Sequence, residues 1–173
     1  MTLLDKSRVK VLAFDLFGTV FDVSDVPREE LQAYGDTIRA PEWQPFVWPK
    51  HWEKLPAFPD AEFGLRALQA LGYYTVALSN APLALAMRMI ANAELDFNAI
   101  IPLETQQLYK PNPGCYTFAQ TLCGVEREEF AMISANKSFG DIEAALSLGM
   151  HAQLIRNPDM PETILDLVRL LTR

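Results

Sequence analysis

Short, largely apolar runs recur along the chain, each closed by a polar break and followed by a stretch in which apolar residues return every three or four positions. The runs are 9–14 (VKVLAF), 74–78 (YTVAL), 99–101, 131–133 and 152–155. Apolar character without alternation marks strands covered on both faces. Helices are predicted over 61–71 with Asp60 as N-cap, over 82–93, 113–123 and 161–171, each opening on a proline, and over 141–148. Proline suits a first helical turn because its missing N–H has no partner there anyway. This alternation predicts an α/β fold built on a doubly wound, Rossmann-like parallel sheet.

One segment departs from the rhythm. Residues 21–57, between the first strand and the first core helix, carry five prolines and the aromatic stretch EWQPFVWPKHW. Prolines 41, 45 and 49 forbid a long helix across it, leaving room for one over 28–38. Two readings fit the remainder: a surface excursion packing its tryptophans on the core, or a lid over a site at the end of the first strand. The whole chain then reads as one core domain, 1–173, with a minimal cap or flap at 21–57.

In an open parallel sheet, residues just beyond the strands' carboxyl ends converge on one crevice. The first strand ends in Asp15, with Thr19 close behind. The second ends in Ser79 and Asn80, the third leads to Lys110, and the fourth to Ser134, Asn136, Lys137 and Asp141. Each alone reads as a cap or turn residue. A carboxylate, a hydroxyl, an amine and a polar cluster on four successive strands form a candidate catalytic constellation. The fifth strand leads into Arg156 and Asn157, which suggest no particular chemistry.

Bulk composition narrows the partners. With 15 basic against 22 acidic residues the net charge is −7, and no Lys/Arg run offsets it, so no nucleic-acid or anionic-membrane partner is expected. No stretch reaches the ~20 apolar residues of a membrane span, and the first ten residues lack the apolar centre of a signal peptide, so a cytoplasmic location is expected. Cys115 and Cys123 lie eight apart in one predicted helix, too far for a disulfide, and read as small apolar residues. Neither they nor the isolated His51 and His151 make a zinc site.

FDLFGT (14–19), LSN (78–80), YKPNP (109–113) and ISANKSFGDIEAALSLGM (133–150) together resemble the four motifs of the haloacid dehalogenase-like hydrolase superfamily. The resemblance implies Asp15 as nucleophile. Phosphatases of the superfamily carry a second Asp two residues later; here that position is Phe17, which can neither donate nor accept a proton. An aromatic residue there, Tyr116 six residues after Lys110, and Ser134-Ala-Asn136 are similar to the 2-haloacid dehalogenase branch. Counted back from Asp141, Lys137 stands in the slot of the phosphatases' magnesium-binding acid.

The implied reaction is displacement of halide from a small 2-haloacid or related substrate, through an ester on Asp15 and with no metal or other cofactor. The resemblance gives Lys110 the role of orienting Asp15. It makes Thr19, Ser79 and Asn80 positioning groups, and has Ser134, Asn136 and Asp141 place the hydrolytic water. Phe17, Tyr116 and an arginine of the cap would contact substrate. Of Arg28 and Arg39 the second is favoured, because it ends a helix beside the aromatic stretch. The chain departs from the pattern in its short cap and in two extra residues between Asn136 and Asp141, which are expected to move Asp141 or reshape its loop. Two alternatives stay open: a Mg²⁺-dependent phosphatase, and a binding or assembly protein using Trp43, Phe46, Trp48 and Trp52 as an exposed patch, with a homodimer as one form of it.

Overall fold

Five parallel strands, β1 (Val11–Phe14), β2 (Tyr74–Ala77), β3 (Ala99–Ile100), β4 (Phe130–Ser134) and β5 (His151–Leu154), form one sheet in the order β3-β2-β1-β4-β5. The computed structural model describes residues 4–158 and 160–172. The helices are α1 (Arg28–Ile38), α2 (Ala61–Ala70), α3 (Leu83–Asn92), α4 (Pro113–Cys123), α5 (Asp141–Ser147) and α6 (Ile164–Thr172). The predicted α/β architecture is borne out.

Successive side chains of a strand point to opposite faces, which divides the core in two. Leu12 and Phe14 of β1 pack with Leu65 and Leu68 of α2, Met89 of α3 and Leu167 of α6. Val11 and Ala13 pack with Cys115 and Ala119 of α4 and Ala145 of α5 on the other face. Both cysteines are free, and burial pushes the Cys115 thiol up to about 12, so it behaves as the small apolar residue expected. The chain reverses direction across the sheet between β1 and β4, and the crevice of a doubly wound fold opens there. Among the described residues no helix is long and apolar enough to cross a membrane.

The first core helix starts where the sequence places it, but its expected cap bond is missing and α6 starts later than predicted, both for one reason. Asp60 makes no cap bond to α2; its carboxylate takes both Oδ atoms to the Arg156 guanidinium at 2.9 and 3.0 Å, and Oδ2 accepts the Ile164 N–H at 2.6 Å. It therefore serves the start of α6, which begins at Ile164 and not at Pro161, with Thr163 Oγ1 accepting from the Asp166 N–H. Arg156, silent in the sequence, lies over the Phe58 ring at 3.8 Å and donates through Nε to the Thr19 carbonyl at 2.8 Å. It thereby ties the end of β5 to the turn after β1. Asp60→Ala strands this largely buried guanidinium and is expected to cost about 3 kcal/mol in urea unfolding; a change below about 1 kcal/mol would show the tie to be ornamental.

Residues 21–57 leave and re-enter the core at one place. Phe21 bridges Ala57, the Asp22 N–H donates to the Pro56 carbonyl at 2.8 Å, and the Phe58 N–H to the Val20 carbonyl at 2.9 Å. Between these feet lie α1, an irregular proline-rich stretch and a 3₁₀ turn at Lys50–Lys54. The alternative in which four aromatics form one exposed patch does not fit: Trp52 is fully buried, Phe46 and Trp48 are half-buried, and of the four only Trp43, 37% exposed, faces water. Trp48 stacks on Phe17 at 5.6 Å, and Trp52 meets Phe17 edge-on at 5.1 Å. The rings turn inward because large apolar area gains more by covering Phe17 than by facing water.

Candidate active site

Asp15 follows β1 directly and is turned into the crevice by the Leu16–Thr19 bend, in which Gly18 takes a φ of +76°. That conformation disfavours any residue with a Cβ, and a Cβ at Gly18 would also stand 3.4 Å from Asn136 Oδ1. The Gly-Thr pair is thus what lets the turn close against the loop after β4. Thr19 is fully buried; its hydroxyl donates to Asp15 Oδ2 at 3.1 Å and accepts the Ala135 N–H at 2.9 Å.

Three groups donate to the Asp15 carboxylate: Lys110 Nζ to Oδ1 at 2.7 Å, Asn136 Nδ2 to Oδ2 at 2.6 Å, and Thr19. Asn136 also donates to the Phe17 carbonyl at 3.0 Å. It therefore holds the carboxylate itself, a more direct part than the water-placing one suggested by the motif.

Lys110 Nζ donates equally to Asp141 Oδ2 at 3.1 Å. Asp141 accepts further bonds from Tyr116 at 2.7 Å and Ser134 at 3.0 Å. It reaches Lys110 with the two extra residues of the fourth motif in place. They are taken up in a 3₁₀ turn, Lys137–Phe139, and Gly140, at φ +83°, redirects the chain into α5 with Asp141 as its first residue. Lys137 sits exposed on that turn and does not line the cavity, which corrects its placement in a metal-ligand slot.

Burial raises the Asp15 pKa above the ordinary carboxylate value; the Lys110 ammonium pulls it back, and the neighbouring Asp141 charge adds to the rise. For Lys110 burial opposes the charge, but the two carboxylates outweigh it and leave its pKa above that of an ordinary lysine. The ammonium is therefore a fixed cation, and the carboxylate beside it is basic for its type.

The remaining predicted residues divide. Asn80 accepts the Lys110 backbone N–H at 2.7 Å and donates to the Tyr34 hydroxyl at 3.0 Å, so it fixes the turn before α4 that carries the lysine. Ser79 is buried, but its hydroxyl oxygen accepts the Ala81 N–H at 3.1 Å and does not line the cavity; it shapes the turn after β2. Tyr116 reaches Asp141 and does not line the cavity. Arg39 is corrected: it is exposed, outside the cavity, with its guanidinium 5.1 Å from the centre of the Phe139 ring. The charge stays in water while the stem covers an aromatic face.

A cavity of about 180 Å³ lies over Asp15, with Lys110, Asp141, Asn80 and Asn136 at its floor. Its walls are Phe17, Tyr34, Trp52 and Phe139, with Val23 and Leu31. Sequence reasoning missed Leu31 and Tyr34, although Leu31, Tyr34, Gly35 and Ile38 recur at the spacing of one helix face. Phe139 carried no signal, because it enters through the added residues of the fourth motif.

A family model for haloacid dehalogenase-like hydrolases matches residues 27–149, more than half of the chain. The chain belongs to the haloacid dehalogenase-like hydrolase family. Among curated relatives of the chain, the (S)-2-haloacid dehalogenase 4A of Burkholderia cepacia is 30% identical over 87 residues, covering 49% of the chain and 38% of that protein. The (S)-2-haloacid dehalogenase of Xanthobacter autotrophicus is 28% identical over 125 residues, covering 70% and 49%. The matched stretch thus spans less than half the length of these relatives. A crystal structure of an L-2-haloacid dehalogenase superposes with a TM-score of 0.78 at 23% identity, covering 95% of this chain and 99% of that one. A phosphatase of the same superfamily from Thermococcus onnurineus superposes at 0.67 and 20% identity, covering 94% and 98%. At such identities these structures establish a shared fold.

Proposed function

We propose that the protein hydrolyses a carbon–halogen bond of a small 2-haloacid or related substrate, with Asp15 as nucleophile and without a metal. The observation that carries this reading is the Asp15 carboxylate, held by three donors at the floor of an apolar cavity with Phe17, and no acid, two residues on. Asp15 attacks the halogen-bearing carbon, forming a C–O bond as the C–X bond breaks, and halide leaves with the electron pair. An anion that departs unaided needs no general acid, so an apolar residue at position 17 is no handicap.

Water then adds to the Asp15 carbonyl carbon and the acyl C–O bond breaks. One water proton goes to the product hydroxyl, the other to solvent, and the water oxygen stays in the Asp15 carboxylate. Asp141, fixed by Lys110, Tyr116 and Ser134, is the second carboxylate at the cavity floor and the group available to orient that water. The dehalogenase names of the curated relatives support the same chemistry.

The phosphatase reading fits less well. Mg²⁺ takes six oxygens in near-ideal octahedral order. Here the two carboxylates facing the cavity are already bridged by an ammonium, the Phe17 side chain offers no ligand, and the Phe17 carbonyl already accepts from Asn136. The test is halide release from (S)-2-chloropropionate and related α-chloro compounds without metal, beside p-nitrophenyl phosphate hydrolysis with Mg²⁺. Halide release is expected; efficient Mg²⁺-dependent phosphate release with no halide would overturn the assignment.

A further inference from the structure

We propose that Glu30 is a positioning residue: by holding the Trp52 indole in the cavity wall it sets the width of the space over Asp15, and with it the length of side chain a substrate can carry. This rests on the hydrolase reading for the substrate, while the geometry of the hold is independent of it. Glu30 does not itself line the cavity. It stands in the first turn of α1, one residue before Leu31, and its Oε2 accepts the Trp52 indole N–H at 2.7 Å. Exposed His51, from the same 3₁₀ turn as Trp52, brings its Nε2 to 3.0 Å from that oxygen.

Trp52 is fully buried, so its single donor needs an acceptor, and among the described residues Glu30 alone provides one. The indole meets Phe17 at 5.1 Å, Trp48 at 5.6 Å and Tyr34 at 6.0 Å, each time edge to face. Such contacts bury area but let a ring slide and turn; a short hydrogen bond fixes one edge of it. The next residue, Glu53, fastens the same turn to α3, its carboxylate 3.1 Å from Arg88 Nε and its carbonyl accepting from Asn92 Nδ2 at 2.9 Å. The turn is thus pinned to the core through α3 and to α1 through Glu30. Leu31 and Tyr34 of α1 and Trp52 of the turn wall one cavity of about 180 Å³, and Glu30 joins these two walls. Without its carboxylate the indole N–H is buried and unpaired, the ring shifts to regain a partner, and the space over Asp15 widens. In an apolar pocket the fit of a single methylene is worth ~10–200-fold.

The experiment compares (S)-2-chloropropionate with (S)-2-chlorohexanoate in halide release without metal, for wild type, Glu30→Leu, Glu30→Gln, Trp52→Phe and Glu30→Leu/Trp52→Phe. Wild type is expected to favour the shorter compound in kcat/KM. Glu30→Leu is expected to cut that preference roughly 10-fold, chiefly by lowering KM for the longer compound. Glu30→Gln, which keeps an acceptor, is expected to restore most of it, and in the Trp52→Phe background Glu30→Leu should add nothing. Poor folding lowers kcat for both compounds alike and leaves their ratio and KM values as they were. An unchanged ratio therefore overturns the proposal, as does a wild-type preference for the longer compound, or a full Glu30→Leu effect in the absence of the indole N–H. Binding of the unreactive isobutyrate and 2-methylhexanoate is measured by calorimetry in parallel. No halide from either compound overturns the dehalogenase reading; a binding preference that Glu30→Leu relaxes then still supports the hold, and one that it leaves alone overturns both.

Discussion

Asp15→Asn is expected to reduce halide release by ~10⁴-fold or more while the protein keeps its circular dichroism spectrum. The amide still offers Lys110 an acceptor but has neither the charge nor the nucleophilicity to displace halide. Lys110 retains its partner Asp141, so the substitution leaves no unpaired charge behind. A single turnover of wild type in ¹⁸O-water sharpens the test. If the ester forms on Asp15 and water enters at its carbonyl carbon, the label appears in the peptide containing Asp15 and the first product molecule is unlabelled. Label in the first product instead would mean that water attacks the substrate directly, and Asp15 would be demoted to a base.

Lys110→Met is the substitution with the largest expected effect on stability. Its ammonium and both carboxylates are almost wholly buried, at 3%, 7% and 4% side-chain exposure. Removing it leaves two negative charges facing each other in a medium that solvates them poorly, a loss of about 3–5 kcal/mol in urea unfolding at pH 7. The sign of the pH dependence follows from Asp15. Its pKa is already raised in the folded state by burial, and without the lysine nothing comparable pulls it back. The folded variant therefore binds a proton that the unfolded chain does not. Its stability is greatest below the ordinary aspartate pKa and falls as pH rises through the elevated folded value.

Activity moves the other way, since attack requires the ionised carboxylate. In wild type kcat/KM rises with pH through the raised Asp15 pKa, and in Lys110→Met this limb moves further up. Lys110→Met/Asp141→Asn should recover much of the stability, and none of the wild-type rate. If Lys110→Met instead proves as stable at pH 7 as wild type, the buried trio is not coupled as described.

The sheet was legible because its strands are covered on both faces and so read as apolar runs. Asp15, Thr19, Asn80, Lys110, Asn136 and Asp141 were legible because a parallel sheet gathers its strand ends, a rule that needs no side-chain detail. What escaped depended on long-range competition for partners. Asp60 reads as a helix cap until Arg156, far along the chain, claims its carboxylate. Arg39 seems a substrate ligand until Phe139 offers it a face on the outside. The inward turn of Trp52 depends on Phe17 and Tyr34 lying beneath it, a fact of three-dimensional packing.

The joined feet of the 21–57 segment bear on how such a chain can change over evolutionary time. Because Phe21 and Ala57 meet beside the nucleophile's turn, whatever lies between them can lengthen, shorten or be exchanged without displacing a strand. Reaction and recognition are then inherited separately: one is written in the fixed ends of the strands, the other in a detachable stretch of sequence. A chimera carrying a foreign segment between those two residues would keep its chemistry and change its diet.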